Sequence, residues 1–213
     1  MTDDELRVEL VNITTELYRA GLVTATGGNV SVRSDSQPDT AWITPSQIFK
    51  GDLKPEQMIL INMEGKKISG ESKPSVESVY HAGIMKYRPE INAVVHTHAR
   101  LSTIFGMCDM QILPVNTEAI FCMNMPVIPF YLGGTKELAA AVIECVGQTK
   151  ATGAFLRNHG LMTIGKSLRQ AADNSYMVEH VVDILLELKM AGLTPCQVPE
   201  KTVKFLMQFA GAF

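Results

Sequence analysis

Leu6, Leu10, Ile13 and Leu17 recur at helical intervals behind Thr2-Asp-Asp-Glu5, a spacing that lets an N-cap hydroxyl and a carboxylate three residues on satisfy each other's backbone amides. The pattern predicts an amphipathic helix that ends near Gly21. Short apolar or β-branched runs follow at Asn29–Arg33, Ala41–Ile43, Met58–Asn62 and Lys67–Ser69, separated by turn residues, and read as strands. A helix is expected from Ser75 to Lys86, halted before Pro89, then a strand over Asn92–His98 and a helix over Leu101–Met107. Thr135–Val146 reads as a helix stopped by Gly147, and Ala154–Arg157 and Leu161–Ile164 as strands. Ser167 with Gln170 opens the longest helix, to about Gly192, and Pro199–Phe209 forms a last amphipathic one. Helices and strands alternate, yet tight turns join several neighbouring strands. That combination predicts an α/β fold with a mixed, largely antiparallel sheet covered by helices.

The chain has 213 residues, 46% hydrophobic and 19% charged, which suits one domain with a substantial core. Nineteen basic against 22 acidic residues leave a net charge of −3, so binding to nucleic acid through phosphate neutralisation is not expected. The acidic start does not read as a secretory signal, and the apolar run Val181–Met190 is broken by Asp183, Glu187 and Lys189. Cys108, Cys122, Cys145 and Cys196 are scattered, as expected of free thiols in a reducing cytoplasm.

The strongest chemical signal is His96-Thr97-His98. Residues two apart in a strand face the same way, so both imidazoles can converge on one ion, and neutral imidazole suits zinc. A third ligand is needed. His159, beside Gly160 at a predicted strand end, is one candidate, and Glu77, in the first turn of a predicted helix, is another. A helix dipole also favours a carboxylate at that place, so spacing leaves both roles open for Glu77. His81 would share its helix face, but is read as structural, as is His180 in the long helix. Gly27-Gly28 could form an anion-binding nest, with Ser75 at a helix N-terminus and Ser46 as further phosphate neighbours. No nucleophile elbow, Walker loop or dinucleotide fingerprint is present.

Gly27-Gly28-Asn29-Val30-Ser31, Ile43-Thr44-Pro45-Ser46, Lys73-Pro74-Ser75-Val76-Glu77, the run from Arg88-Pro89 to His96-Thr97-His98, and Asn158-His159-Gly160 together resemble the class II aldolase/adducin-head family. The pattern is nearest to that family's L-fuculose-1-phosphate aldolase members and spans essentially the whole chain. The resemblance implies one αβα-layered domain over residues 1–213, a homotetramer with C4-type symmetry, and a Zn2+ site between adjacent subunits, with Mn2+ or another divalent ion as the alternative metal. By position, His96, His98 and His159 match the three zinc histidines. Glu77 matches the acid that ligates the resting metal and then shuttles a proton. Gly28, Asn29, Ser46, Gln47, Ser75 and Val76 stand where the aldolases bind substrate phosphate. The chain departs from the pattern at Val76, where the family has a serine, and at Gln47, where it has a glycine. The tyrosine lent by a neighbouring subunit falls at Thr117-Glu118, and the C-terminal tyrosine near Phe209.

What the resemblance implies is a cytoplasmic lyase that cleaves a small hydroxyketone, a sugar phosphate, through a zinc-stabilised enediolate, without nucleic-acid or membrane partners. A decarboxylase of a 3-oxo acid is the first alternative, since the same enediolate serves either leaving group, and Arg100 is then a candidate for the carboxylate. A pentulose-phosphate 4-epimerase is disfavoured, because it carries aspartate at position 77 and another near Ile120. A non-catalytic scaffold like the adducin head has no chemical need for the histidine set.

Overall fold

The computed structural model describes residues 1–208, organised around one eight-stranded sheet. Its elements in chain order are α1 (Asp3–Arg19), β1 (Asn29–Arg33), β2 (Thr40–Ile43), β3 (Ile59–Asn62), β4 (Lys67–Ser69), α2 (Ser78–Tyr87), β5 (Ala93–Thr97) and α3 (Arg100–Met107). They continue with α4 (Thr117–Cys122), β6 (Val127–Ile128), α5 (Lys136–Val142), β7 (Gly153–Leu156), β8 (Gly160–Gly165), α6 (Leu168–Met190) and α7 (Glu200–Met207). The strand order is β4-β3-β2-β1-β5-β8-β7-β6, antiparallel throughout except for the parallel pair β6 and β7. This is the mixed, largely antiparallel α/β architecture expected from the strand and turn pattern.

Alternation along the strands builds the layers. On β5, Val94 faces a cluster with Ile43, Ile61, Tyr80, Ile84 and Val142, so α2 and α5 cover that face. Its neighbours Ala93 and Val95 face the opposite cluster with Leu10, Leu17 and Ala171, beneath α1 and α6. Both layers are needed because β5 is buried along its whole length. A third cluster, with Phe105, Phe155, Leu161 and Val182, joins α3 and α6 to β7 and β8.

Several boundaries differ from the sequence expectation. The helix foreseen from Ser75 starts at Ser78, because Pro74 pairs with Pro45 in a β-bridge and holds residues 74–77 extended or turned. Ser75 is therefore not its N-cap; Glu77 holds that position, without a side-chain cap bond. The helix over Thr135–Val146 changes to a π-turn at Ile143–Gly147, where α2 passes so closely that a Cβ on Gly83 would lie 2.3 Å from Ile143 Cδ1. The short α4 and β6 carry too few residues for a periodic signal. The expected extension of the last helix to Phe209 lies outside the described residues. Among the described residues, no helix is long and apolar enough to cross a membrane.

One polar contact ties the core to the segment that follows β5. The N-cap of α3 is Ala99, which has no side chain able to cap. Glu179 of α6 does so instead, accepting from the amides of Leu101 at 2.9 Å and Ser102 at 2.8 Å and from Ser102 Oγ at 2.6 Å. A carboxylate is favoured there by the helix dipole as well as by the hydrogen bonds. Glu179→Ala leaves two part-buried amides unpaired, so urea denaturation should show a loss of about 1–3 kcal/mol. Unchanged stability would mean that water caps α3 equally well.

Candidate metal centre

β5 delivers the first imidazole. His96 is fully buried near its end, opposite Asn29 on β1 and Met162 on β8. His98 lies one residue beyond the strand and still faces the same way. His159 comes from the tight turn between β7 and β8, where Asn158 adopts a left-handed φ of 57° that few side chains other than Asn tolerate. That turn sits hard against β5, since a Cβ on Gly160 would lie 2.2 Å from the Thr97 carbonyl. Gly27 is equally constrained, because a Cβ there would meet His98 Nδ1 at 2.5 Å. The two glycines noted in the sequence are thus required by close approach to the histidines.

The three rings converge, with ligand nitrogens all within 4.8 Å of one another and ring centroids 4.8–5.1 Å apart. His96 Nδ1 lies 3.0 Å from the Leu161 carbonyl, which can only accept, so the proton is assigned to Nδ1 and the Nε2 lone pair points into the cluster. Nε2 is 3.0 Å from His98 Nε2. Glu77 closes the set, with Oε2 3.4 Å from His96 Nε2 and Oε1 3.5 Å from His159 Nε2. Asn29 Nδ2 donates to Glu77 Oε2 at 2.8 Å and holds the carboxylate from the far side.

Burial, reinforced by the neighbouring His98 and His159, pushes the His96 pKa well below the ordinary histidine value, against the opposing effect of its bond to Leu161. Burial and His159 lower His98 too, while Glu77 acts the other way. Neutral imidazoles are the ligating form. The donor set fits a divalent cation: three imidazole nitrogens and a carboxylate, whose 3.0, 3.4 and 3.5 Å spacings lie near the edge, about 3.3 Å, of a tetrahedron built on zinc–ligand bonds of about 2.0–2.1 Å. The buried Oε1 of Glu77 makes no hydrogen bond, which such an ion would remedy.

The residues expected on the phosphate side are brought to one edge of this centre. Thr44 N donates to the Val30 carbonyl and Ser46 N to that of Lys73, so the Thr44–Gln47 turn lies between the Gly28-Asn29 loop and Ser75-Val76. Gln47 has a left-handed φ of 57°, the physical reason a glycine suits that position. Ser75 is buried, its Oγ accepting from Glu77 N at 3.3 Å, whereas Val76 is 65% exposed. Asn29, expected near the phosphate, has its side-chain amide on the Glu77 carboxylate. His81 is structural as expected, fully buried with Nδ1 2.7 Å from Ser31 Oγ. His180 is exposed and 3.7 Å from Glu118, in a separate cleft of about 690 Å3 between α4 and α6 that contains none of these ligands. Arg100 is exposed at the start of α3, and Ile120 is buried in α4.

Three features had no clear sequence signal. A Cβ on Gly133 would lie 3.5 Å from His159 Cε1 and 3.9 Å from Glu77 Oε1, so the Phe130–Gly134 loop borders the centre. Lys50 is buried with its Nζ donating to the Pro45 carbonyl at 2.8 Å, and burial pushes its pKa down to about 8. Tyr80, on α2, has its phenol pushed well above its usual pKa by burial and then by Glu77. Only the Gly-Gly pair at 133–134 could have been flagged beforehand.

Residues 8–186 match the family model described as Class II Aldolase and Adducin N-terminal domain. The chain is 31% identical over 201 residues to the 5-deoxy-D-ribulose 1-phosphate aldolase of Bacillus thuringiensis serovar kurstaki, covering 94% of this chain and 92% of that one. It is 32% identical over 210 residues to the 3-oxo-tetronate 4-phosphate decarboxylase of Haemophilus influenzae, covering 94% and 97%. A solved structure of L-fuculose 1-phosphate aldolase superposes with a TM-score of 0.87 at 25% identity, over 98% of this chain and 96% of that one.

The buried imidazoles are expected to contribute to acid stability. His81 is held down to about 3, by burial foremost, with Glu77 raising it and His96 lowering it further. Unfolded histidines titrate near about 6.5, so below that pH the unfolded chain binds protons that folded His81, His96 and His98 refuse. Stability of the metal-free protein is therefore full above about pH 6.5 and declines as pH falls towards 3. Urea melts between pH 7.5 and 5 test this, and His81→Gln should flatten part of the decline. A pH-independent midpoint would refute it.

Proposed function

This chain belongs to the class II aldolase and adducin family, and on that premise we propose that it is a zinc-dependent carbon–carbon lyase for a small phosphorylated hydroxyketone. One observation carries the reading: His96, His98 and His159 converge with Glu77 facing them and Asn29 holding that carboxylate. A scaffold would have no use for such a donor set.

His96, His98 and His159, with Glu77 as fourth ligand, would hold the metal, which supplies the positive charge that an enediolate needs as the bond beside the carbonyl breaks. The Leu161 carbonyl fixes the His96 tautomer and ring orientation, as outer partners of metal ligands commonly do. Glu77 takes the proton from, or returns it to, the nucleophilic carbon of the substrate, and Asn29 Nδ2 orients its carboxylate for that transfer. Gly28, Asn29, Ser46, Gln47, Ser75 and Val76 are proposed to border the phosphate. The amides of Gly28 and Gln47, with the hydroxyls of Ser46 and Ser75, are proposed as the donors there, since Val76 offers only its amide. Manganese or another divalent ion is the alternative to zinc.

Decarboxylation of a phosphorylated 3-oxo acid is the second reading, favoured by the near-complete coverage of the Haemophilus relative and by exposed Arg100, two residues past His98. Both reactions leave the same anion and differ in whether an aldehyde or carbon dioxide departs. We further propose a cytoplasmic homotetramer with its centres between subunits. Val76, Val79, Phe130 and Leu132, exposed near the centre, support a covered face there.

The reading is tested with a panel of ketose 1-phosphates followed by aldehyde release, in parallel with 3-oxo acid phosphates followed by carbon dioxide in the headspace. Aldehyde release is expected, and carbon dioxide alone would select the second reading. His96→Ala, His98→Ala and His159→Ala should each lose bound metal, by elemental analysis, as well as activity. Glu77→Gln should retain most of the metal while kcat falls by about 100-fold or more, because an amide cannot accept the proton. A Glu77→Gln enzyme with unchanged kcat would reduce Glu77 to a ligand.

A further inference from the structure

Tyr80 is 1% exposed, and its hydroxyl makes no hydrogen bond of ordinary length. Burying a hydroxyl unpaired destabilises a fold, and phenylalanine would fill the same space without that cost. The group facing it is the Glu77 carboxylate, whose Oε1 is itself without a hydrogen bond. The two residues are one helical turn apart, Tyr80 N donating to the Glu77 carbonyl at 3.2 Å. The phenol ring is held on both sides, stacked on His81 at 4.9 Å and 27° and edge-on to His96 at 6.4 Å and 89°. Its hydroxyl therefore has little freedom to find another partner. A cavity of about 40 Å3, lined by Glu77, Tyr80 and Gly134 among others, leaves room for a side-chain movement.

We infer that Tyr80 is a positioning residue: its hydroxyl receives the Glu77 carboxylate when that group withdraws from the imidazoles, and holds it by a charge-assisted hydrogen bond. A carboxylate that both ligates a metal and moves a proton needs two resting positions. The histidine side supplies one and Tyr80 the other. The hydroxyl and the metal then compete for the same oxygen atoms, so removing the hydroxyl should strengthen metal binding while impairing turnover. The turnover part of this inference rests on the lyase reading; the metal part does not.

Tyr80→Phe, alone and combined with Glu77→Gln, tests it in the full chain. Zinc affinity is measured by competition with a chelating dye, and kcat and KM are measured on whichever substrate the wild-type protein cleaves. Tyr80→Phe should bind zinc about tenfold more tightly and lose about ten- to a hundredfold in kcat with little change in KM, the range expected for one hydrogen bond to a charged group. Neither change should occur in the Glu77→Gln background, because the effect runs through the carboxylate. Unchanged or weaker zinc binding, the same tightening without Glu77, or a full kcat in Tyr80→Phe would each overturn the inference. Should the wild-type chain cleave nothing while the Glu77-dependent tightening is present, Tyr80 keeps its role and the lyase reading fails.

Discussion

The register of β5 between β1 and β8 sets Asn29 and Met162 opposite His96 and turns that imidazole, with His98, towards α2. A slip of one residue would rotate both rings to the other face, into the apolar layer under α1 and α6. Register is pinned from both sides by antiparallel hydrogen bonds and by the alternation of Val94 against Ala93 and Val95 into separate clusters. The packing that stabilises the fold is thus the same packing that aims the ligands. Gly160, wedged under the Thr97 carbonyl, then brings His159 to the same point.

Around this geometry the polar groups are arranged in an unusual balance. Imidazoles pressed together in a buried site are kept neutral, and a carboxylate with one unsatisfied oxygen stands against them. Polar groups left in this condition cost stability unless a cation completes them. The donor set is thus one that a divalent ion could complete, and Asn29 and Leu161 restrain Glu77 and His96 from outside.

The converging side chains and the loops that border them sit on different parts of the framework. The histidines and Glu77 lie on β5, the β7–β8 turn and the start of α2, all held by the sheet. The Thr44–Gln47 turn, Ser75-Val76 and the Phe130–Gly134 loop border the centre as connections, where substitutions disturb the core least. That division gives a physical reason why relatives named as aldolases and as decarboxylases align with this chain along nearly its full length.

Much of this was legible in the order of residues. Apolar periodicity located α1, β1, β5 and α6, tight turns between strands foretold the antiparallel sheet, and the His-x-His spacing required two imidazoles on one face. These are local consequences of backbone geometry, so local sequence determines them. The start of α2 was not legible, because a bridge between Pro45 and Pro74, distant in sequence, delays the helix to Ser78 and moves Glu77 to its N-cap. Nor was the pairing of Asn29 with Glu77 or of Glu179 with the bare N-terminus of α3. Such contacts depend on which segments the sheet brings within about 3 Å of one another, and a residue's partner across the fold leaves no periodic trace in its own neighbourhood.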